Sequence, residues 1–378
     1  MFILGNRSAF SGLACAVAAA VLAPPARAQV ETVIYSFSDG IDGAVPLTGL
    51  INVGGTLYGT TWYGGLGGGT IFSVTPSGTE SVLVPFNYPT FAYSLINVGG
   101  TLYGTTLNGG YDGCYGACGT LFSLSVPGGN LTQLFAFVPG KYRNAGYLPL
   151  GRLVSVGEML YGTDSAGGTG YEDKKGCNCG AVFAATLSGA TKPVYVFKSN
   201  PSPGGGLTNI GGRLFGTTYN SVYSVSIHGG YKVLYTFGPA PDGSGVVGDL
   251  TNLNGTLYGT TTRGGAYGAG TVFKVTSAGV ETVLHSFGAS GDGSFPQAGV
   301  TEMGGALYGT TWSGGAYGSG TVYQLTQAGQ EALVYSFKIN SGDGAFPGSK
   351  LIPIGNTLYG TTAVGGANGY GTVFSLVP

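Results

Sequence analysis

Hydrophobic and polar positions follow one another in short runs along most of the chain, and no run is long enough for a helix. Residues Ala306 to Thr311, Gly320 to Leu325 and Glu331 to Phe337 are rich in β-branched and aromatic residues, and Gly or polar clusters separate them. Such runs read as half-buried strands joined by turns. Val300 to Met303, ahead of a Gly304-Gly305 turn, supplies a fourth strand. We label the four a, b, c and d.

The same quartet recurs. Leu-Tyr-Gly-Thr-Thr begins at Leu57, Leu102, Leu257, Leu307 and Leu358, with variants at Leu160 and Leu214, and successive copies are 45, 58, 54, 43, 50 and 51 residues apart. That period, with four strands in each unit, is the signature of propeller blades. The sequence therefore predicts an all-β, seven-bladed β-propeller of four-stranded antiparallel blades, as a single domain over residues 29–378. The first run, Glu31 to Phe37, matches strand d, while the seventh copy stops after its strand c at Gly371 to Pro378. Placing the N-terminal strand 31–37 as the fourth strand of the last blade closes the ring and removes an open edge. A Gly lies in the middle of every strand b, from Gly59 to Gly360. It is expected to make room for an aromatic of a neighbouring sheet, with Phe72 and its counterparts on strand c as candidates.

Composition fits this picture. Of 378 residues, 75 are Gly and only 8% are charged, while 43% are hydrophobic, which argues for a turn-rich folded chain and against disorder. Residues 1–28 combine a basic start at Arg7, an apolar run from Phe10 to Leu22 and small residues at Ala26 and Ala28. This is the pattern of a secretory signal peptide cleaved after Ala28, and it predicts a secreted or periplasmic protein. Cleavage removes Arg7 and Arg27, leaving 13 basic and 16 acidic residues with no basic stripe, so nucleic acid is not an expected partner. No second long apolar run follows, so the mature chain is expected to span no membrane and to be monomeric.

Within the repeat, Leu-Tyr-Gly-Thr-Thr, Gly-Gly-Ala-Tyr-Gly and Gly-Thr-Val-Phe, as at 257–273, 307–323 and 358–374, resemble the GloVer-type tandem repeat of exported bacterial choice-of-anchor proteins. The resemblance runs through essentially the whole mature chain. It implies the fold and export, and no particular biochemical activity. Such proteins commonly carry a C-terminal sorting segment, whereas this sequence ends inside its last repeat.

The a–b and c–d turns are short and lie on one face of the ring, so the varied b–c and d–a loops define the expected working face. There, Trp62, Tyr267, Trp312 and Tyr317 are candidates for stacking on a sugar or flat ligand, or for capping neighbouring blades. Residues 138–198 hold 11 of the 29 mature charges, including Lys141 and Arg143, which join the ligand-binding candidates. Asp164 replaces the second Thr of the repeat and is the best single candidate for an acid with a chemical role. Asp-Gly at Asp42, Asp242, Asp292 and Asp343 reads as turn chemistry, with too few oxygens in each loop for calcium. Cys114, Cys118, Cys177 and Cys179 are expected to form disulfides in an oxidising compartment, either within each loop or across blades. Their spacing is not that of a zinc ribbon, and neither metal nor cofactor is expected.

Two functional readings follow. One is a non-catalytic exported propeller that binds a glycan or an extracellular protein; the other is a glycan-active hydrolase or lyase using acids of the blade 3 sector. The chain has only two histidines, His228 and His285, and neither adjoins a Ser or Cys nucleophile. That scarcity of acid–base groups favours the binding module.

Overall fold

A computed structural model describes residues 31–87, 90–109, 118–137, 146–167, 179–198 and 203–378. The expected signal peptide 1–28 and the candidates Lys141, Arg143, Cys114 and Cys177 lie outside the described residues. All regular elements described are strands, and they form seven four-stranded antiparallel blades. Blade 6 is typical, with strands at Thr301–Met303, Ala306–Thr311, Thr321–Leu325 and Glu331–Ser336. Blade 3 gains a fifth strand, because its strand b is extended (Met159–Gly167) and also pairs with Gly146–Pro149.

The ring closes as the repeat count requires. Glu31–Ser36 lies antiparallel to Thr372–Leu376, with Glu31 opposite Leu376 and Ser36 opposite Thr372. Phe37 extends the seam by donating its N–H to the Gly371 carbonyl at 3.0 Å. Without this strand, blade 7 would offer an unpaired edge to other chains.

Each letter of the repeated phrase has a task. Its Leu is fully buried in all seven blades. The Gly after the aromatic sits directly opposite the bulky residue of strand c in its own blade, as in Gly59 with Phe72 and Gly259 with Phe273. A Cβ on Gly259 would stand 2.6 Å from the Phe273 ring and 2.9 Å from Leu250. The expectation that this Gly admits an aromatic from a neighbouring sheet is thus corrected: the ring comes from the same blade. Contact between blades uses a different residue, the Phe that ends strand d. Phe37, Phe86, Phe137, Phe197, Phe237, Phe287 and Phe337 each meet the strand c ring of the next blade, with centroids 4.9–6.4 Å apart. Seven such pairs, mostly edge-to-face, link the blades around the ring.

The second Thr of the phrase closes the start of the b–c loop. In blade 5, Thr261 Oγ1 meets Thr271 Oγ1 at 2.8 Å, accepts the Thr271 N–H and donates to the Arg263 carbonyl. A hydroxyl pair of this kind occurs in every blade except blade 3, where Asp164 faces Ala181. Asp-Gly loops are indeed turns. The Asp242 carboxylate accepts from Gly238 N at 2.7 Å and from the Tyr235 hydroxyl of strand d at 2.8 Å, and Asp42 and Asp343 repeat the arrangement.

Candidate functional site

Strand a of each blade runs along the axis of the ring, and the residues just before it line a central cavity of about 740 Å³. Every blade contributes, through the segment ending in Leu50, Leu95, Leu150 to Arg152, Gly206, Asp249, Val300's neighbours Gln297 to Gly299, or Leu351. Because these segments follow the d–a loops, the cavity lies towards the face of long connections.

The position preceding the buried Leu or Val of strand a points the chemistry inward. Around the ring it reads Gly49, Ser94, Arg152, Gly206, Asp249, Gly299 and Lys350. Charge therefore enters from blades 3, 5 and 7 alone, and the intervening glycines let long side chains cross. Arg152 passes blade 4 to reach Asp249, with Nη1 3.8 Å from Oδ2, and Gly206 N donates to Asp249 Oδ1 at 2.9 Å. A Cβ on Gly206 would stand 2.1 Å from that oxygen and 2.8 Å from Arg152 Cβ. Lys350 crosses blade 6 in the same way and donates to Thr251 Oγ1 of blade 5 at 2.8 Å. Thr251 in turn donates to the Val300 carbonyl, while Thr208 and Thr301 bridge to Leu250 and Leu351 at 2.5 Å each. These hydroxyls stitch blades 4 to 7 immediately beneath the charged groups.

Electrostatics follow from this enclosure. Half-buried at the cavity wall, Lys350 has its amine lowered to about 8, first by desolvation; Arg152 pushes in the same direction and Asp249 opposes both. Tyr93 stands beside Ser94 at the cavity wall, and burial, then the Asp249 charge, raises its hydroxyl. Two polar atoms at the wall have no hydrogen-bond partner among the described residues: Ser94 Oγ, on a residue 9% exposed, and Trp62 Nε1.

The residues singled out by sequence divide into groups. Trp62 and Trp312 both line the cavity, and both also cap the following blade, Trp62 at 6.1 Å from Phe91 and Trp312 stacked at 5.5 Å on Phe346. Tyr267 and Tyr317 lie out on the loop face, 62% and 57% exposed, and do not line the cavity. Asp164 is 1% exposed, engaged in an interaction of its own, and also away from the cavity wall. Cys118 and Cys179 are buried and disulfide-bonded. Asp249, Lys350 and Tyr93 were not singled out from sequence. Aligning the residue before each strand a Leu would have exposed the two charges, since Gly or Ser fills that place in four of the other blades.

A second cluster sits at a blade junction. His285 Nε2 lies 3.0 Å from Asp292 Oδ2, and Glu331 of the next blade brings a carboxylate oxygen to within 4.8 Å of both. His285 occupies the place that Tyr35, Tyr235 and Tyr335 take elsewhere, where the same Asp is joined by Glu80, Glu281 or Glu31.

The fold is a seven-bladed propeller with an axial cavity, and the sequence assigns it further. The Gloeobacter/Verrucomicrobia repeat matches residues 22–222 and 218–378, and the chain belongs to that family. No curated protein matches by sequence. Among solved structures, virginiamycin B lyase from Staphylococcus aureus is similar at 14% identity and a TM-score of 0.63, over 93% of this chain and 99% of that one. A streptogramin B lyase gives 15% identity and 0.61, over 92% and 97%. BamB from Moraxella catarrhalis gives 15% and 0.51, over 89% and 84%. At such identities the likeness concerns the fold.

Proposed function

We propose that this protein is an exported, non-catalytic binding module that takes a glycan into the loop-face end of its axial cavity. The observation that carries the reading is the wall itself: about 740 Å³ bounded by all seven blades, with Trp62 and Trp312 as flat apolar surfaces and few polar groups between them. Aromatic faces beside sparse, fixed polar groups are how concave sites hold sugars in one orientation. Lyase structures share this fold with proteins such as BamB, so fold alone does not choose between catalysis and binding. Chemistry at the wall supports binding, because Asp249 is its one carboxylate and a glycosidase needs two. The alternative, a hydrolase or lyase using blade 3 acids, has less support, since Asp164 is buried between strands away from the cavity. In the exported setting, disulfides at Cys118 and Cys179 would fasten the b–c loops of blades 2 and 3.

A polysaccharide panel tests the reading on purified residues 29–378. Retention by a subset of glycans, weakened at least tenfold in Trp62→Ala or Trp312→Ala, is expected. Absence of binding across the panel, or release of shortened products, would overturn it.

A further inference from the structure

Resting on the glycan reading, we infer that the cavity selects an anionic sugar of the uronate class, whose carboxylate is received between Arg152 and Lys350. The polar inventory of the wall is lopsided towards donors. Arg152 and Lys350 are both cations with hydrogens to give, and both line the cavity. Against these stands a single fixed acceptor charge, Asp249, and part of its capacity is already taken by Arg152 and Gly206 N. One positive charge is left over at the cavity wall, where Lys350 is half-buried and the Arg152 side chain is 42% exposed.

Lys350 is held partly out of water and shares its one nearby counter-charge, Asp249, with Arg152, and its depressed amine reflects that shortfall. Its only hydrogen-bond acceptor among the described residues is the neutral hydroxyl of Thr251. A ligand carboxylate would supply the missing counter-charge. It would also supply acceptor oxygens of the geometry a guanidinium matches best. Ring hydroxyls of the same sugar could donate to Asp249, and a tryptophan face suits the C–H side of a pyranose. The cavity of about 740 Å³ has room for a pyranose ring beside these charged groups. A neutral sugar would leave the surplus cation unanswered, which is the basis for discrimination.

The test compares matched pairs by calorimetry: oligogalacturonates, oligoglucuronates and oligomannuronates, each against its methyl ester. The acid form is expected to bind at least tenfold more tightly for one of these backbones, with a preference that weakens as salt is raised. Lys350→Met and Arg152→Met should each reduce the preference to less than threefold while the ester still binds. Asp249→Asn, which keeps an acceptor for Gly206 N and removes the opposing charge, should strengthen acid binding severalfold. This gain cannot come from a damaged fold. Equal binding of acid and ester, or no gain in Asp249→Asn, would overturn the uronate inference and leave the glycan reading standing. Failure of every acid and every ester, together with the neutral panel, would remove the glycan reading itself.

Discussion

At the scale of single residues, the strand b glycines are set by contact and not by backbone freedom. Gly59, Gly259 and Gly360 each face a Phe ring too close for a Cβ, with 2.6–2.7 Å available. Gly259→Ala is expected to destabilise the protein by about 1–3 kcal/mol through overpacking. Chemical denaturation would measure it, and the double substitution with Phe273→Leu should recover part of the loss. An unchanged midpoint would mean that the ring can swing away without cost. Sequence showed that this Gly needed a reason but not which sheet supplied the ring, because register is invisible to a repeat count. The pairing of the second Thr with a hydroxyl on strand c was likewise hidden. It becomes visible only when two strands are laid side by side.

Blade-level organisation was far more legible. The four strands of blade 6, the seven repeats and the exchanged N-terminal strand all follow from periodicity and turn residues, because each blade repeats one solution to burying two faces. Individual contacts at the seam carry measurable weight. Phe37 is fully buried, packs at 5.0 Å on Phe72 of blade 1 and at 5.1 Å on Tyr35. Phe37→Ala should cost about 3–5 kcal/mol, in the range for emptying a buried aromatic site. Removing residues 29–37 should lower the melting temperature by more than the same length of exposed loop would. Calorimetry on both variants checks the seam, and a melting temperature like that of the parent would show that blade 7 holds without its fourth strand. The charged trio was less legible than the strands. Arg152, Asp249 and Lys350 stand about a hundred residues apart, and only closure of the ring brings them to one axis.

For the molecule as a whole, the blade junctions make stability depend on pH. Burial first, and then a neighbouring aspartate, raises Glu31 to about 8 and both Glu80 and Glu281 to about 7. The folded state therefore holds protons that the unfolded chain has released, from the ordinary carboxyl value up to about 8. Stability is highest below that window and falls as pH rises through it. Lys350 acts in the opposite sense, but only between about 8 and its ordinary value. The melting temperature is expected to be higher at pH 5 than at pH 8, and Glu80→Gln with Glu281→Gln should flatten the difference. A melting temperature that climbs across that interval would contradict protonated junctions.

The seam between Glu31–Ser36 and Thr372–Leu376 joins the two ends of the sequence. A contact across that separation forms late, because its loop entropy is met only after the intervening blades are in place. Six blades can form from local hairpins as the chain is made, but the segment 31–37, made first, waits for the last blade to follow it. Until they meet, the backbone of 31–36 has no ladder partner and strand c of blade 7 has an open side. The fold thus has a defined last step, and a peptide copying residues 31–37 would compete for that place during refolding while leaving the finished ring untouched.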